Sequence, residues 1–459
     1  MAYSIVIYSK YCMALSLVLF FLCGLFSLRY VSVAKQKRLA FLQSLCLLLV
    51  QWSAWLTIVI RTQRTEYLLL FAFFQTLTFA MLILPVMLYP GVSRILLNDI
   101  CMLFTAGMIV LTRLDQSRAA RQLAFMALSF FLSLFVPWIV RHIRVLRRLG
   151  WICCAAGIVL VGTVLLLGQL TNGSRLSWTV AGITFQPSEF AKVLYVFFLA
   201  SVLGEKPGLP KVLFAGIGAA AHVLILVLSR DLGSALIFFA VYILMISAAS
   251  HRLFYALAGV LGGTFASAGA YRVLSHVQTR VQAWRDPWSV IDGQGYQITQ
   301  SLFAISRGGL FGLGIGKGTP YDIPYVETDF IFAAMVEELG LVFGIGIVLT
   351  GVMVFLLLMR IACGLKDGFY KNLTMGYGFM LIFQIFLTIG GDTKFIPLTG
   401  VTLPLVSYGG SSVMATMLML FVIQGICEMR YAEEREIEKR RKKSEKRAVA
   451  DKKAAAPAQ

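Results

Sequence analysis

The chain has 459 residues, 59% of them hydrophobic and 14% charged, with a mean hydropathy of +0.81. That balance excludes a large soluble core and reads as an all-α polytopic membrane protein. The formal net charge of +19 gathers in short loops and in the tail after Cys427, which is the pattern of cytoplasmic retention of Lys and Arg, and no folded basic domain presents it to nucleic acid.

Apolar runs of about 20 residues predict spans at 12–28, 39–60, 67–89, 95–112, 122–140, 151–170, 187–204, 211–229, 232–250, 253–274, 329–359, 373–390 and 408–427. The first run lacks a strongly charged lead-in and a small-residue cleavage site, so a retained helix is expected rather than a signal peptide. Thirteen spans place the basic segments 29–38, 141–150, 251–252, 360–371 and the tail on one side. Assigning that side to the cytoplasm puts the N-terminus outside. The basic loop 113–121 runs against this assignment and lands outside. So do three irregular, Gly- and Pro-rich segments, 171–189, 275–328 and 391–407. Non-helical backbone near a membrane is buried in protein or lines a wet cavity, so the three predict one extracytoplasmic cavity. The tail, 428–459, alternates Glu with Lys and Arg before a low-complexity end; it is expected to fray into solvent or lie along anionic lipid.

The eight cysteines fall in or beside apolar runs without ligand spacing, and the four histidines are scattered. No metal site and no cofactor are expected, and a divalent-cation requirement is not fixed by the sequence.

Charges near spans need a partner or a function. Arg230–Asp231 opens one span, where a boundary ion pair at a helix start is the simplest alternative to a functional role. Glu189 and Lys192 stand one turn apart, which serves structure as readily as chemistry. Glu337 and Glu338 lie together inside the predicted span that Asp329 begins. At least one of them is expected to face a cavity, a basic partner or a bound ion. The Gly run 308–320, "GGLFGLGIGKGTP", lacks a hydroxyl after its Lys and a strand before it, so it is not a P-loop. Its glycines suit close loop packing or backbone N–H groups offered to an anion. In "TGVTLPLVSYGGSS" (399–412), hydroxyls at Ser407, Ser411 and Ser412 open the last span and suit sugar or phosphate oxygens. The polar stretch "WRDPWSVIDGQGYQ" (284–297) sits in the longest outer segment. Trp284 and Trp288 suit interfacial anchoring, Pro287 a turn, and Gly293 and Gly295 a loosened backbone.

Five segments, "NGSRLSWTVAGITFQPSEFAK", "RDLGSALIFF", "RVQAWRDPW…GQGYQITQSLFAISRGGLFGLGIGKG", "IPYVETDFIFAAMVEELG" and "PLTGVTLPLVSYGGSS", occur in the order found in one family. Over residues 95–427 the chain resembles the SEDS proteins (shape, elongation, division and sporulation), the group of RodA, FtsW and SpoVE. The resemblance implies a ten-span core at 95–427 with a large extracytoplasmic loop at 275–328. Residues 1–94 then form about three extra spans, and 428–459 a basic cytoplasmic tail. It implies a peptidoglycan glycosyltransferase of the bacterial cytoplasmic membrane that polymerises lipid II outside the cell beside a class B penicillin-binding protein. A carboxylate would take the proton of the attacking sugar hydroxyl, and cations would stabilise the polyprenyl-pyrophosphate leaving group.

The family's proposed catalytic Asp lies three residues before the first Gly of G-x-G-Y-Q, and here that position is Val290. Asp292 and, next, Asp286 are therefore the expected catalytic residues. Matching motifs make Glu189, Lys192 and Asp231 candidates for substrate contact, together with Asp329, Glu337, Ser407, Ser411 and Ser412. Arg175, Arg280 and Lys394 are candidates by their place outside. Two other readings stay open: a flippase or transporter of the lipid-linked precursor, and a non-catalytic scaffold that activates a transpeptidase.

Overall fold

A computed structural model describes residues 2–29, 32–142, 147–168, 170–171, 174–175, 177–180 and 183–454. Seventeen helices, α1 to α17, are described. Three apolar ones come first: α1 (Ala2–Arg29), α2 (Val33–Thr62) and α3 (Glu66–Leu88). Next are α4 (Arg94–Leu114), α5 (Gln116–Ser133), α6 (Val136–His142) and α7 (Gly150–Leu167). Two short antiparallel hairpins follow, β1 (Leu170–Thr171) with β2 (Ser174–Arg175) and β3 (Trp178–Val180) with β4 (Ile183–Phe185). Then come α8 (Pro187–Leu203), α9 (Leu209–Leu228), α10 (Leu232–Ser250) and α11 (Leu253–Val273). The long segment after α11 holds α12 (Ser275–Arg285) and α13 (Tyr296–Gly308), and the chain ends with α14 (Ile331–Leu339), α15 (Leu341–Cys363), α16 (Gly368–Asp392) and α17 (Gly410–Ala454).

Twelve helices among the described residues are long and apolar enough to cross a membrane, with α5 and α6 reading as one. The span expected at 187–204 corresponds to α8, which is 17 residues long and packs into the bundle. The centre of the bundle is α4, where every residue from Ile95 to Thr112 is buried. In contrast, α11 buries only Gly259 and lies at the periphery.

Polar side chains fasten the first helices to this centre. Gln43 Nε2 of α2 donates to Asp99 Oδ1 of α4 at 2.9 Å, and Asn98 Nδ2 donates to the Ala40 carbonyl at 2.8 Å. Gln51 donates to Thr105 at 2.9 Å and to Thr78 of α3 at 3.2 Å. In hydrocarbon such bonds replace the missing hydrophobic drive between helices.

Two expectations are corrected. The run expected as a single span at 329–359 is broken: α14 stops at Gly340, whose φ of +91° favours glycine, and α15 restarts. The break exposes backbone groups, and the Gly-rich segment 309–314 satisfies them. Leu313 N donates to Glu337 O at 3.0 Å, Gly314 N to Glu338 O at 2.8 Å, and Leu341 N to Gly309 O at 2.9 Å. The glycines thus serve as a clip, and these N–H groups are spent on the protein rather than on an anion. The second correction is to the fraying tail, which instead continues α17 as helix through Ala454. Its side chains support this with i,i+4 pairs such as Arg430–Glu434 at 2.8 Å and Arg441–Glu445 at 2.9 Å.

The basic loop 113–121 also finds its reason. Arg113 pairs with Glu338 at 3.3 Å, and Arg118 pairs with Asp115 at 3.3 Å and with Glu327. Arg113 and Arg118 thus answer acids of the 309–339 region.

Candidate active site

Where the spans end on the side of the long 275–328 segment, three helices begin around one space. Pro187 starts α8, Asp231 caps α10 and Gly410 starts α17. Helix N-termini present N–H groups and positive dipole ends, which suits oxyanions. The space has two chambers, of about 500 and 570 Å³. Both are walled by Asp231, Asp329 and Gly400. The first chamber adds Arg230, Arg280, Gln294 and Gln297; the second adds Arg121, Glu189, Tyr408, Ser411 and Ser412.

Asp329 stands between the chambers. Its backbone N–H bonds to the Tyr325 carbonyl at 3.1 Å, and the neighbouring Thr328 carbonyl accepts from Ser407 Oγ at 2.5 Å. Burial pushes its carboxyl up to about 6, against the Thr328 hydroxyl and the Arg280 charge, which lower it. Asp231 Oδ1 accepts from Ser234 N at 3.0 Å, closing the first turn of α10. Burial raises its carboxyl as well, while that N–H and Lys192 act to lower it.

Arg280, from α12, is anchored by the carbonyls of Leu398 at 3.3 Å and Thr399 at 3.2 Å. Burial lowers its guanidinium from the ordinary value, and the charges of Asp231 and Asp329 oppose this. His276, one turn earlier, is lowered by burial and then by Arg230 and Arg280. Arg280 and the two aspartates are therefore linked through charge, and Asp329 is the carboxylate that the Arg280 charge acts on directly.

The other expected residues divide. Ser411 Oγ accepts from Gln186 N at 3.1 Å and Ser412 Oγ meets Thr402 Oγ1 at 3.2 Å, and both line the second chamber. Ser407 is spent on structure, accepting from Leu403 N at 2.9 Å while it donates to Thr328. Lys192 is fully buried between Glu189 (2.7 Å) and Gln384 Oε1 (3.1 Å) and is not on the wall, whereas Glu189 is. Glu337 lies under the glycine clip, bonded by Arg307 at 3.2 Å and Thr319 N at 3.1 Å. With Glu338 held by Arg113, the basic-partner alternative accounts for both glutamates. Lys394 is off the wall and holds a left-handed φ of +59°, and its carbonyl accepts from Trp284 Nε1 at 3.2 Å. The Arg175 side chain lies outside the described residues.

Asp286 and Asp292 are exposed and are not among the chamber-lining residues. Asp286 Oδ1 accepts from Ser289 N at 3.3 Å in an Asx-type turn after α12. Trp288, also exposed, packs its ring 5.8 Å from that of Phe303. Gly295 tightens the loop rather than loosening it: an added Cβ would overlap the Pro287 carbonyl. The loop still reaches the wall through Gln294 and Gln297. Sequence reasoning passed over these two, although their i,i+3 spacing at a helix start was a usable signal for a shared face. Among the described residues no group of three His, Cys, Asp or Glu converges as a metal site.

Residues 86–431 match the FtsW/RodA/SpoVE family, described as cell cycle protein. The chain is 34% identical over 369 residues to the peptidoglycan glycosyltransferase RodA of Mycobacterium tuberculosis, covering 73% of this chain and 78% of that one. It is 34% identical over 328 residues to stage V sporulation protein E of Bacillus subtilis, covering 67% and 86%. Its fold resembles a chain of a peptidoglycan synthase complex that coordinates polymerization and crosslinking, with a TM-score of 0.62 at 23% identity over 73% of this chain and 97% of that chain.

Proposed function

The chain belongs to the FtsW/RodA/SpoVE family of cell cycle proteins and is a multi-pass membrane peptidoglycan glycosyltransferase, and on that premise we propose that it polymerises lipid II in the two-chambered cavity around Asp231, Arg280 and Asp329. The observation that carries this reading is Asp329, a carboxylate shared by both chambers, pushed up to about 6 and set electrostatically against Arg280. In this assignment Asp329 takes the proton of the acceptor sugar hydroxyl as that oxygen bonds to the anomeric carbon of the donor. The donor's bond to pyrophosphate breaks, and Arg280 and Arg230 stabilise the departing negative charge. Asp231, spent on its N-cap, keeps Arg280 charged and placed. The helix N-termini and the hydroxyls of Ser411 and Ser412 hold sugar or phosphate oxygens in the second chamber.

A second assignment has one observation in its favour. Asp292 lies two residues before Gln294, a wall residue, so a modest movement of the loop carries its carboxylate to the first chamber, with Asp286 behind it. Polymerisation of lipid II by the purified chain, with a class B penicillin-binding protein as partner, separates the two. Asp329→Asn is expected to lose about 10²-fold or more, and Asp292→Ala and Asp286→Ala to stay within a few-fold of the parent. The reverse ranking moves the base to the loop.

The cavity faces outward in this reading, with the N-terminus outside and the α17 tail in the cytoplasm. The ion pairs of Arg113 and Arg118 support it, because they account for two of the three arginines in the one loop that counts against it. Residues 95–427 carry the reaction and residues 1–94 pack against them.

A further inference from the structure

Away from the active site, a cavity of about 500 Å³ opens at the seam between the end of α2, the start of α3, the end of α4 and the glycine clip. Its wall carries three guanidinium groups, Arg61, Arg64 and Arg113, and no carboxylate. Two of them converge: a Cβ placed on Gly316 would lie 3.4 Å from Arg61 Nη1 and 3.5 Å from Arg113 Nε. Among the described residues only Arg113 is compensated, by Glu338 at 3.3 Å, and it also donates to Tyr321 Oη at 2.8 Å. Arg61 donates to the Gly316 carbonyl at 3.0 Å and has no acidic partner among the described residues. Arg64 has neither a hydrogen bond nor an ion pair among them. The nearest acids in sequence are elsewhere: Asp115 caps α5 and pairs with Arg118, and Glu66 sits in the first turn of α3, off the wall.

Arg61 and Arg113 converge while Arg61 and Arg64 stay exposed, so a bridging oxyanion relieves the repulsion of the close pair, and each planar fork can donate two hydrogen bonds to it. The site lies where α2 and α4 end and α3 begins, and the ends of membrane-crossing helices lie at the level of the headgroups, where lipid phosphates are. We propose that this seam binds a phosphate-bearing anion through Arg61 and Arg64, with Arg113 behind them. Occupancy then ties α2 and the start of α3, which precede the family-matched region, to the clip that bears on Glu338.

The test uses the full chain. Native mass spectrometry after release from phosphatidylcholine nanodiscs with added phosphatidylglycerol counts retained anionic lipid. Thermal unfolding in neutral detergent, followed by tryptophan fluorescence, is titrated with inorganic pyrophosphate. Arg61→Gln/Arg64→Gln is compared with Lys37→Gln/Arg38→Gln at the other end of α2. One retained phosphatidylglycerol, weakened about tenfold or more by the first double variant and unchanged by the second, supports the site with a lipid source. The same dependence for pyrophosphate supports it with a soluble source. No anion preference over phosphatidylcholine, or equal loss in both double variants, overturns it. Arg64→Gln alone, which removes no hydrogen bond or ion pair among the described residues, must give a partial loss with the unliganded Tm unchanged; an unaltered affinity also overturns the proposal.

Discussion

At the residue scale, the proposed assignment turns on one carboxyl, Asp329, whose environment would set its working pH. A general base acts only when deprotonated, so with Asp329 at about 6, polymerisation should rise as pH passes upward through about 6 and then level off. A pH profile of the initial rate checks this, and the acid limb should persist in Asp292→Ala. Stability runs the other way. A carboxyl held above its unfolded value favours the neutral form in the fold, so Asp329 opposes folding increasingly as pH rises from its unfolded pKa toward about 6. Asp329→Asn should therefore raise Tm at pH 7.5 and leave it near the parent value at pH 4, read by thermal unfolding in the same detergent.

At the scale of elements, the break between α14 and α15 is held by glycines that differ sharply in what they tolerate. Gly312 has φ +74°, and an added Cβ would overlap the Glu338 carbonyl; Gly309 has φ +54° with nothing within 4 Å. Gly312→Ala must move backbone on both sides of the clip, and with it the Glu338–Arg113 pair. It should cost well over ~3 kcal/mol, whereas Gly309→Ala, which meets no atom but must hold φ +54° and ψ −152° in an essentially glycine-only region, should cost about 1–3 kcal/mol. Comparing the two by thermal unfolding separates close approach from backbone conformation. If both behave alike, the clip is not what holds the break.

At the scale of the whole molecule, the first three helices and the family core form one bundle because polar side chains of α2 meet those of α4. Gln43→Leu would leave Asp99 buried without its donor, at a cost of roughly 1–3 kcal/mol. Gln43→Glu would set a second carboxyl against the first and should cost more. Retention of folded protein after mild heating measures both. A variant as stable as the parent would mean that apolar packing alone holds α2.

Much of this was legible in the chain itself. Hydrocarbon thickness requires about 20 apolar residues per span, so composition and run length gave the helical class and most of its elements. The ordered motifs pointed to the family, and Asp231, Arg280 and Asp329 were already candidates. Pairings across long separations were not legible. Arg113 with Glu338, Arg118 with Glu327 and Gln43 with Asp99 are contacts that only packing creates. The helix break at Gly340 is equally silent in hydropathy, because both halves are apolar. The stretch Trp284–Gln297 offered two aspartates as the evident acids. The tertiary structure put its glutamines on the wall, leaving Asp286 and Asp292 exposed while Asp329 is enclosed between the chambers. Local sequence determined which segments could enter the membrane. Which charges meet was decided by the packing of those segments, because a buried charge is tolerated only where the fold supplies its partner.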